Sequence, residues 1–295
     1  MGNRELSNIG RGTETVGLSI LNNVSSLAIE SQLSATQGDL QNTLTQLATG
    51  SRINSGADDA AGLAIANNLQ ANITALTQSE RNANDGMAML QVADGSLSQV
   101  TSLLNRAITI ATESATGSIN NTQRSALDAE FTQIKTEIDS IGQNTTFNGT
   151  SVFSGSSTSI FMKDGNSSNS VAVTVSTLGQ GSFGTSSVSL QQDNLLTAGN
   201  ASSGAQKTLT DISGAISAVA AERGNVGASI NRLEAATNVM ANQVLNLTSA
   251  ENGVTSADVA QTVTNMSKDN ILLQTGMAAM AQANSAQQQV LTLLR

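Results

Sequence analysis

From Leu69 to Ala111 apolar side chains return every three and four residues, and no proline interrupts them. The run is Leu69, Ile73, Leu76, Ala83, Met87, Leu90, Leu97, Leu104, Ile108 and Ala111, with Glu80, Asp94 and Thr101 filling the remaining slots. Such a repeat draws one narrow greasy seam along a helix, which calls for a long partner helix rather than a round core. Counted from Ser51, the helix is roughly 60 residues and ~90 Å long. Most globular helices are about a fifth of that. The pattern predicts a rod.

The rest of the composition permits this and excludes much else. The 295 residues contain no Pro, Cys, His, Trp or Tyr, five Phe, and only 12% charged side chains. That length allows one large or two ordinary domains. Without Pro, nothing removes a backbone donor inside a long helix. Without Cys there is no disulfide staple, and without Cys and His neither N/S metal sites nor Ser-His and Cys-His nucleophile pairs can be built. No metal, cofactor or catalytic set is expected, and the chain does not read as an enzyme. A net charge of −9 disfavours nucleic acid and anionic membrane, which both need basic patches. No run approaches the ~20 apolar residues that span a bilayer. The start, MGNRELSNIGRGTETVG, lacks the basic-then-apolar layout of a cleaved signal peptide.

Along the chain, residues 1–19 are polar and without periodicity, and are expected to lack structure unless an assembly orders them. Helical spacing runs from Ile20 to Ala48, with Leu33, Gln37, Leu40, Leu44 and Leu47 in one stripe, and Gly50 stands at the left-handed cap. Ser55 followed by Asp58 reads as close to a capping box, with Asp58 and Asp59 in the first turn of the long helix. After a loop at 114–121, a second seam holds Leu127, Phe131, Ile134, Ile138 and Ile141. Two seams joined by a short polar loop predict an antiparallel helical hairpin.

Residues 142–204 are rich in Gly, Ser, Asn and Thr. Two β-like runs, 159–162 and 171–175, flank Lys163-Asp164-Gly165-Asn166 and predict a hairpin with a connection longer than two residues. So few strands should lean on the helices. Helical spacing resumes at Leu209 and breaks at Glu251-Asn252-Gly253. A last helix starts near Thr255 or Ser256, with Val259, Val263, Met266, Met277, Met280, Val290 and Leu293 on it. The first and last helices are among the least charged parts of the chain. Their apolar surface exceeds what mutual pairing would cover, which predicts further partners of the same kind.

Other constellations have plainer readings. Asp58-Asp59 is explained by helix-start electrostatics rather than by a catalytic dyad. Met277 and Met280 read as adaptable packing rather than metal ligands. Gly179, Gly181 and Gly184 match G-x-G-x-x-G, but no helix start or distant acid follows, so they read as a surface loop.

The run from Ser51 to Met87, SRINSGADDAAGLAIANNLQANITALTQSERNANDGM, resembles the amino-terminal signature of bacterial flagellin. So do Phe147-Asn148-Gly149 and the carboxy-terminal NMSKDNILLQTGMAAMAQANSAQQQVLTLLR from Asn265 to Arg295. The quoted runs cover about a quarter of the chain, and a looser likeness about two thirds. The resemblance implies a mainly α subunit: a long antiparallel helical bundle or coiled-coil rod folded back on itself, with a small β-hairpin region in the middle of the chain. Residues 20–48 plus 256–295 would form an inner filament-core layer, 49–145 plus 205–255 the helical rod, and 146–204 a small β-rich outer segment. Residues 1–19 would be an extension or a start-site ambiguity, because the family pattern aligns from about Ile20.

By the same resemblance the chain would polymerise outside the cell into a flagellar filament for motility, exported by the flagellar type III route without a cleaved signal. Leu33, Leu40, Leu44, Leu47, Val259, Val263, Met266, Met277, Met280, Val290 and Leu293 would pack the core helices. Leu69, Ile73, Leu76, Met87, Leu90, Leu97, Leu104, Phe131, Ile134 and Ile138 would form the rod seam. Partners would be copies of itself, an export chaperone, the filament cap and hook-junction proteins. Arg106, Ile110 and Glu130 fall on positions recognised in flagellins by Toll-like receptor five, although Asn105 and Glu113 stand where well-recognised members carry Gln; the plainer reading places Arg106 and Glu130 only in subunit contacts or on solvated faces. Two other readings are a hook–filament junction protein, which shares the terminal architecture, and a cytoplasmic signalling coiled coil. The latter leaves the β-like middle unexplained. Terminal helices without a charged face are expected to order only when neighbouring copies bury them.

Overall fold

The computed structural model describes residues 23–164, 167–183, 189–191, 193, 195 and 201–293, excluding the side chains of 163–169, 201–203 and 290–293. The expected extension at 1–19, Gly184 and the side chains of Val290 and Leu293 lie outside the described residues. In chain order the elements are α1 (Val24–Thr49), α2 (Ala60–Ala115), α3 (Asn121–Asn144), β1 (Thr146–Phe147), β2 (Thr150–Ser151), β3 (Ser157–Asp164), β4 (Ser167–Thr174), β5 (Leu178–Gly179), β6 (Ser182–Phe183), α4 (Ala201–Thr255) and α5 (Val259–Leu293). The fold is mainly helical, with three small antiparallel hairpins in the middle. It divides into two compact units, residues 67–251 and residues 1–66 with 252–295.

In the unit 67–251, α2 runs antiparallel to both α3 and α4. The buried face of α2 is Leu76, Ser79, Ala83, Leu90, Ala93, Leu97, Val100, Leu104, Ala107, Ala111 and Ser114, with Gly86 buried among them. Half of these are the expected seam positions. Five of the others lie one residue earlier than expected: Ser79, Gly86, Ala93, Val100 and Ala107 are inside where Glu80, Met87, Asp94, Thr101 and Ile108 were predicted. Four of the five are small, and small side chains let neighbouring elements approach closely. A Cβ at Gly86 would lie 2.1 Å from Ile160 Cδ1. The larger Met87 and Ile108 pack partly buried at the seam's edge. Phe131, Ile134 and Ile138 of α3 and Ile212, Val219, Val226 and Leu233 of α4 complete the core.

Local chemistry fixes the ends. Asn120 and Gln123 form a reciprocal capping box at the start of α3, a signal the sequence reading missed. Arg124, buried behind it, donates to the carbonyls of Ser114 and Thr116 at 2.9 Å each and satisfies the end of α2. Asn148 (φ 49°) and Gly149 (φ 77°) make the left-handed turn between β1 and β2, which an Asn-Gly pair adopts readily. In the next hairpin Asp164 pairs with Ser167, so the connection is two residues and shorter than expected. Gly179 and Gly181 belong to the β5–β6 hairpin. Carboxylates tie this β-rich segment to the helices. Glu222 of α4 accepts from Ser176 N and Oγ, and Asp128 of α3 accepts from Leu195 N at 2.9 Å. Asp139 of α3 accepts from both Gln180 N and Gln180 Nε2.

In the other unit, Gly50 (φ 69°) is the left-handed cap of α1, as expected. The approach to α2 differs from the predicted box. Asp58 accepts from the N–H groups of Asn54 and Ser55 in the turn, which hold its carboxyl below the usual range. Asp59 accepts from Gly62 N at 2.8 Å and is the true helix cap. The predicted break at 251–253 is absent: Ser256 N still donates helically to Asn252 O at 2.8 Å. An interior glycine costs about 1 kcal/mol and does not stop a helix. The turn comes after Thr255, where Asp258 caps α5 through Gln261 N.

Candidate assembly surface

α1 and α5 pair antiparallel. Ser26 Oγ donates to Asn284 Oδ1 at 2.8 Å near one end. Near the other, Arg52 N donates to Thr255 O at 2.6 Å and Ala257 N to Gly50 O at 3.0 Å. Their shared seam keeps the 3-4 rhythm, through Ile29, Leu33, Thr36, Leu40, Thr43 and Leu47 on α1. On α5 it runs through Thr262, Met266, Asp269, Leu273, Gly276, Met280 and Ala283. The most buried of these are polar: Thr36, Thr43, Thr262 and Asp269. The threonines tolerate burial because each hydroxyl donates to the carbonyl four residues back, at 2.9, 2.8 and 2.7 Å, leaving the methyl to pack.

The large apolar residues take the opposite position. Leu27, Leu44, Val259, Val263, Ile271, Leu272 and Met277 are exposed, Val259 at 56% and Met277 at 55%. Of the predicted core-packing residues, Leu33, Leu40, Leu47, Met266 and Met280 lie half-buried in the seam. Leu44, Val259, Val263 and Met277 do not join it. The α1 stripe is corrected accordingly, with Thr36 and Thr43 inside in place of Gln37 and Leu44.

In the larger unit, Leu76, Leu90, Leu97, Leu104, Phe131, Ile134 and Ile138 are buried, while Leu69, Ile73 and Met87 are half-buried. Arg106 and Glu130 form an exposed ion pair at 2.7 Å. Ile110 is 1% exposed and belongs to the core, so the three residues do not present one surface.

The sequence reading missed a cluster around Asp193. Lys207 Nζ lies 2.8 Å from Asp193 Oδ1 and 2.5 Å from Asp211 Oδ2. Lys135 Nζ donates to the Asp193 carbonyl at 2.8 Å and sits over the Phe131 ring. Burial pushes the Asp193 carboxyl up despite the Lys207 hydrogen bond, and its Oδ2 has no partner among the described residues. Nothing but sequence distance hid this group, since 58 residues separate Lys135 from Asp193. Among the described residues no three His, Cys, Asp or Glu side chains are grouped to hold a metal, and no helix is long and apolar enough to cross a membrane.

Comparison with known proteins gives a consistent family signal. Residues 20–158 match the bacterial flagellin N-terminal helical region, and residues 209–294 the bacterial flagellin C-terminal helical region. The chain is similar to the flagellin of Bacillus subtilis, 30% identical over 94% of this chain and 99% of that one. It is 32% identical to the flagellin of Halalkalibacterium halodurans, over 86% of this chain and 92% of that one. It is 30% identical to the flagellar filament 30.7 kDa core protein of Treponema maltophilum, over 94% and 99%.

Proposed function

The chain belongs to the bacterial flagellin family, and from that membership we propose that it is a structural subunit that polymerises into the extracellular flagellar filament. One observation carries the reading. The α1–α5 pair buries threonines and an aspartate between its helices and leaves leucine, isoleucine, valine and methionine in water. A monomer gains nothing from that arrangement, whereas a copy whose neighbours cover those side chains does. In this reading 20–48 with 256–295 form the filament core, 49–145 with 205–255 the rod and 146–204 the outer segment. The short outer segment makes the filament thin and smooth.

The core helices order as neighbours bury them, which couples folding to assembly and suits export of an unfolded chain. The export chaperone, filament cap and hook-junction proteins are partners by family membership. Toll-like receptor five is a further candidate partner, with Arg106 and Glu130 as the exposed contacts. Fragments of filament added to purified protein test the central reading. Electron micrographs should show thin, smooth filaments growing from the seeds. Growth of bulky, knobbed fibres contradicts the outer-segment assignment, and no growth at any concentration contradicts the function.

A further inference from the structure

A cleft of about 430 Å³ opens where α2, β3 and the β1–β2 hairpin meet, with Asn82, Asp85, Phe147, Asn148, Ser159 and Phe161 in its walls. Gly86 draws β3 onto α2 at this point, because Ile160 Cδ1 occupies the space a Cβ would need. Asn82 and Asp85, three apart on the same flank of α2, therefore stand beside the strand. The Asn82 amide is fully engaged: its Nδ2 donates to Phe161 O at 3.1 Å and its Oδ1 accepts from Gln78 Nε2 at 3.0 Å. Asp85 is exposed, and its carboxylate has no hydrogen bond or ion pair among the described residues.

Aromatic side chains are scarce in this chain, which has five Phe and no Trp or Tyr. Phe131, Phe153 and Phe183 are buried in the core, and the other two both line this cleft. Phe161 is 52% exposed, on a strand whose Ile160 and Met162 are buried. Its cross-strand partner is Ser170, with Ala172 on the diagonal, so neither puts a large side chain against it.

These features select a charge and a shape. A carboxylate without a partner and an aromatic face each attract a cation, and no lysine or arginine lines the cleft to compete. Asn148 and Ser159 add acceptor oxygens. A planar guanidinium uses all of these, because it forks onto a carboxylate, stacks on a ring and keeps further N–H groups for the acceptors. An ammonium is more strongly hydrated and has no plane to stack. The volume lies at the small end of the range for small-molecule sites, which suits a solute better than a protein segment.

We propose that this cleft binds an alkylguanidinium solute, forked onto Asp85 and laid against Phe161. With no cation in the walls, a ligand that carries its own carboxylate is disfavoured. The bound solute ties α2 to β3, and the site stands independently of the assembly reading.

Calorimetric titration of the full-length monomer with butylguanidinium tests this, and far-UV circular dichroism of each variant controls for folding. Binding should saturate at one ligand per chain. Asp85→Asn should weaken it about tenfold, and Phe161→Leu about two- to fivefold; both replace exposed side chains. Butylammonium and arginine should each bind more weakly than butylguanidinium, and uncharged butylurea should not bind. No saturable binding at about 10 mM, an affinity unchanged in both variants, or equal binding of butylammonium or arginine overturns the proposal. A capped Gly-Arg-Gly peptide that binds at least about tenfold more tightly than butylguanidinium hands the cleft to a protein's side chain and overturns the solute.

Discussion

Asp94 of α2 and Arg223 of α4 face each other across 129 residues of sequence, with Arg223 Nε donating to Asp94 Oδ1 at 2.8 Å. Both side chains remain about two-fifths exposed, so solvent screens the pair. Asp94→Ala should therefore cost no more than about 1 kcal/mol. Leu97→Ala, three residues on and 1% exposed, should cost about 2–5 kcal/mol. Chemical denaturation of the two variants checks the order, and equal losses would make the ion pair a larger part of the helix contact than its exposure allows.

Glycines separate in the same way. At Gly142 a Cβ would stand 2.0 Å from the carbonyl oxygen of Leu178, and backbone cannot move aside cheaply. Gly142→Ala should destabilise by about 1–3 kcal/mol. Gly95 and Gly224 have open space where a Cβ would go and lie inside helices. Alanine at either should stabilise by about 0.5–1 kcal/mol. Thermal unfolding of the three variants decides.

Glu222 is 5% exposed and receives both Ser176 N, at 2.8 Å, and Ser176 Oγ, at 3.0 Å. Glu222→Ala leaves those donors without their acceptor and should cost about 1–3 kcal/mol. Hydrogen exchange should rise first at residues 175–177. Unchanged exchange there would mean the β-rich segment is held by apolar contacts alone.

Asp193 sets a pH dependence of unusual sign. Burial raises its folded pKa above the ordinary aspartate value, so the folded chain holds this proton more tightly than the unfolded one. The contribution of this site to stability therefore increases as pH falls from neutral through the raised pKa, and is complete below the unfolded value. Asp193→Asn removes that gain, so from neutral pH downward the variant should lose stability more steeply than the wild type. At neutral pH it should be at least as stable as the wild type. An acid loss in the variant that is equal to or shallower than the wild type's would contradict the assignment.

What was legible followed from repeating spacing. The 3-4 pattern gave the helices and their pairing, and Gly50 gave the end of α1. The position of half the α2 seam was not legible, because Gly86, Ala93 and Ala107 are chosen for closeness rather than greasiness and leave a weak apolar signal. The same holds in the α1–α5 seam, where Thr36 and Thr43 lie inside through hydroxyls that serve their own helix. Gly253 looked like a stop and is not one, because the cap that matters is Asp258. Ile110 shows the limit of carrying roles over by position, since the matching residue is in the core. The Asp193 cluster depends on contacts remote in sequence and had no local signature.

The claim beneath the functional reading is that α1 and α5 are completed by identical neighbours. Amide hydrogen exchange over residues 24–49 and 259–293, compared between monomer and seeded polymer, tests it most directly. The account predicts fast exchange in the monomer and strong protection in the polymer, with a matching rise in helicity, while residues 76–111 stay protected in both. Equal, strong protection of the terminal helices at every concentration, with or without seeds, would contradict it.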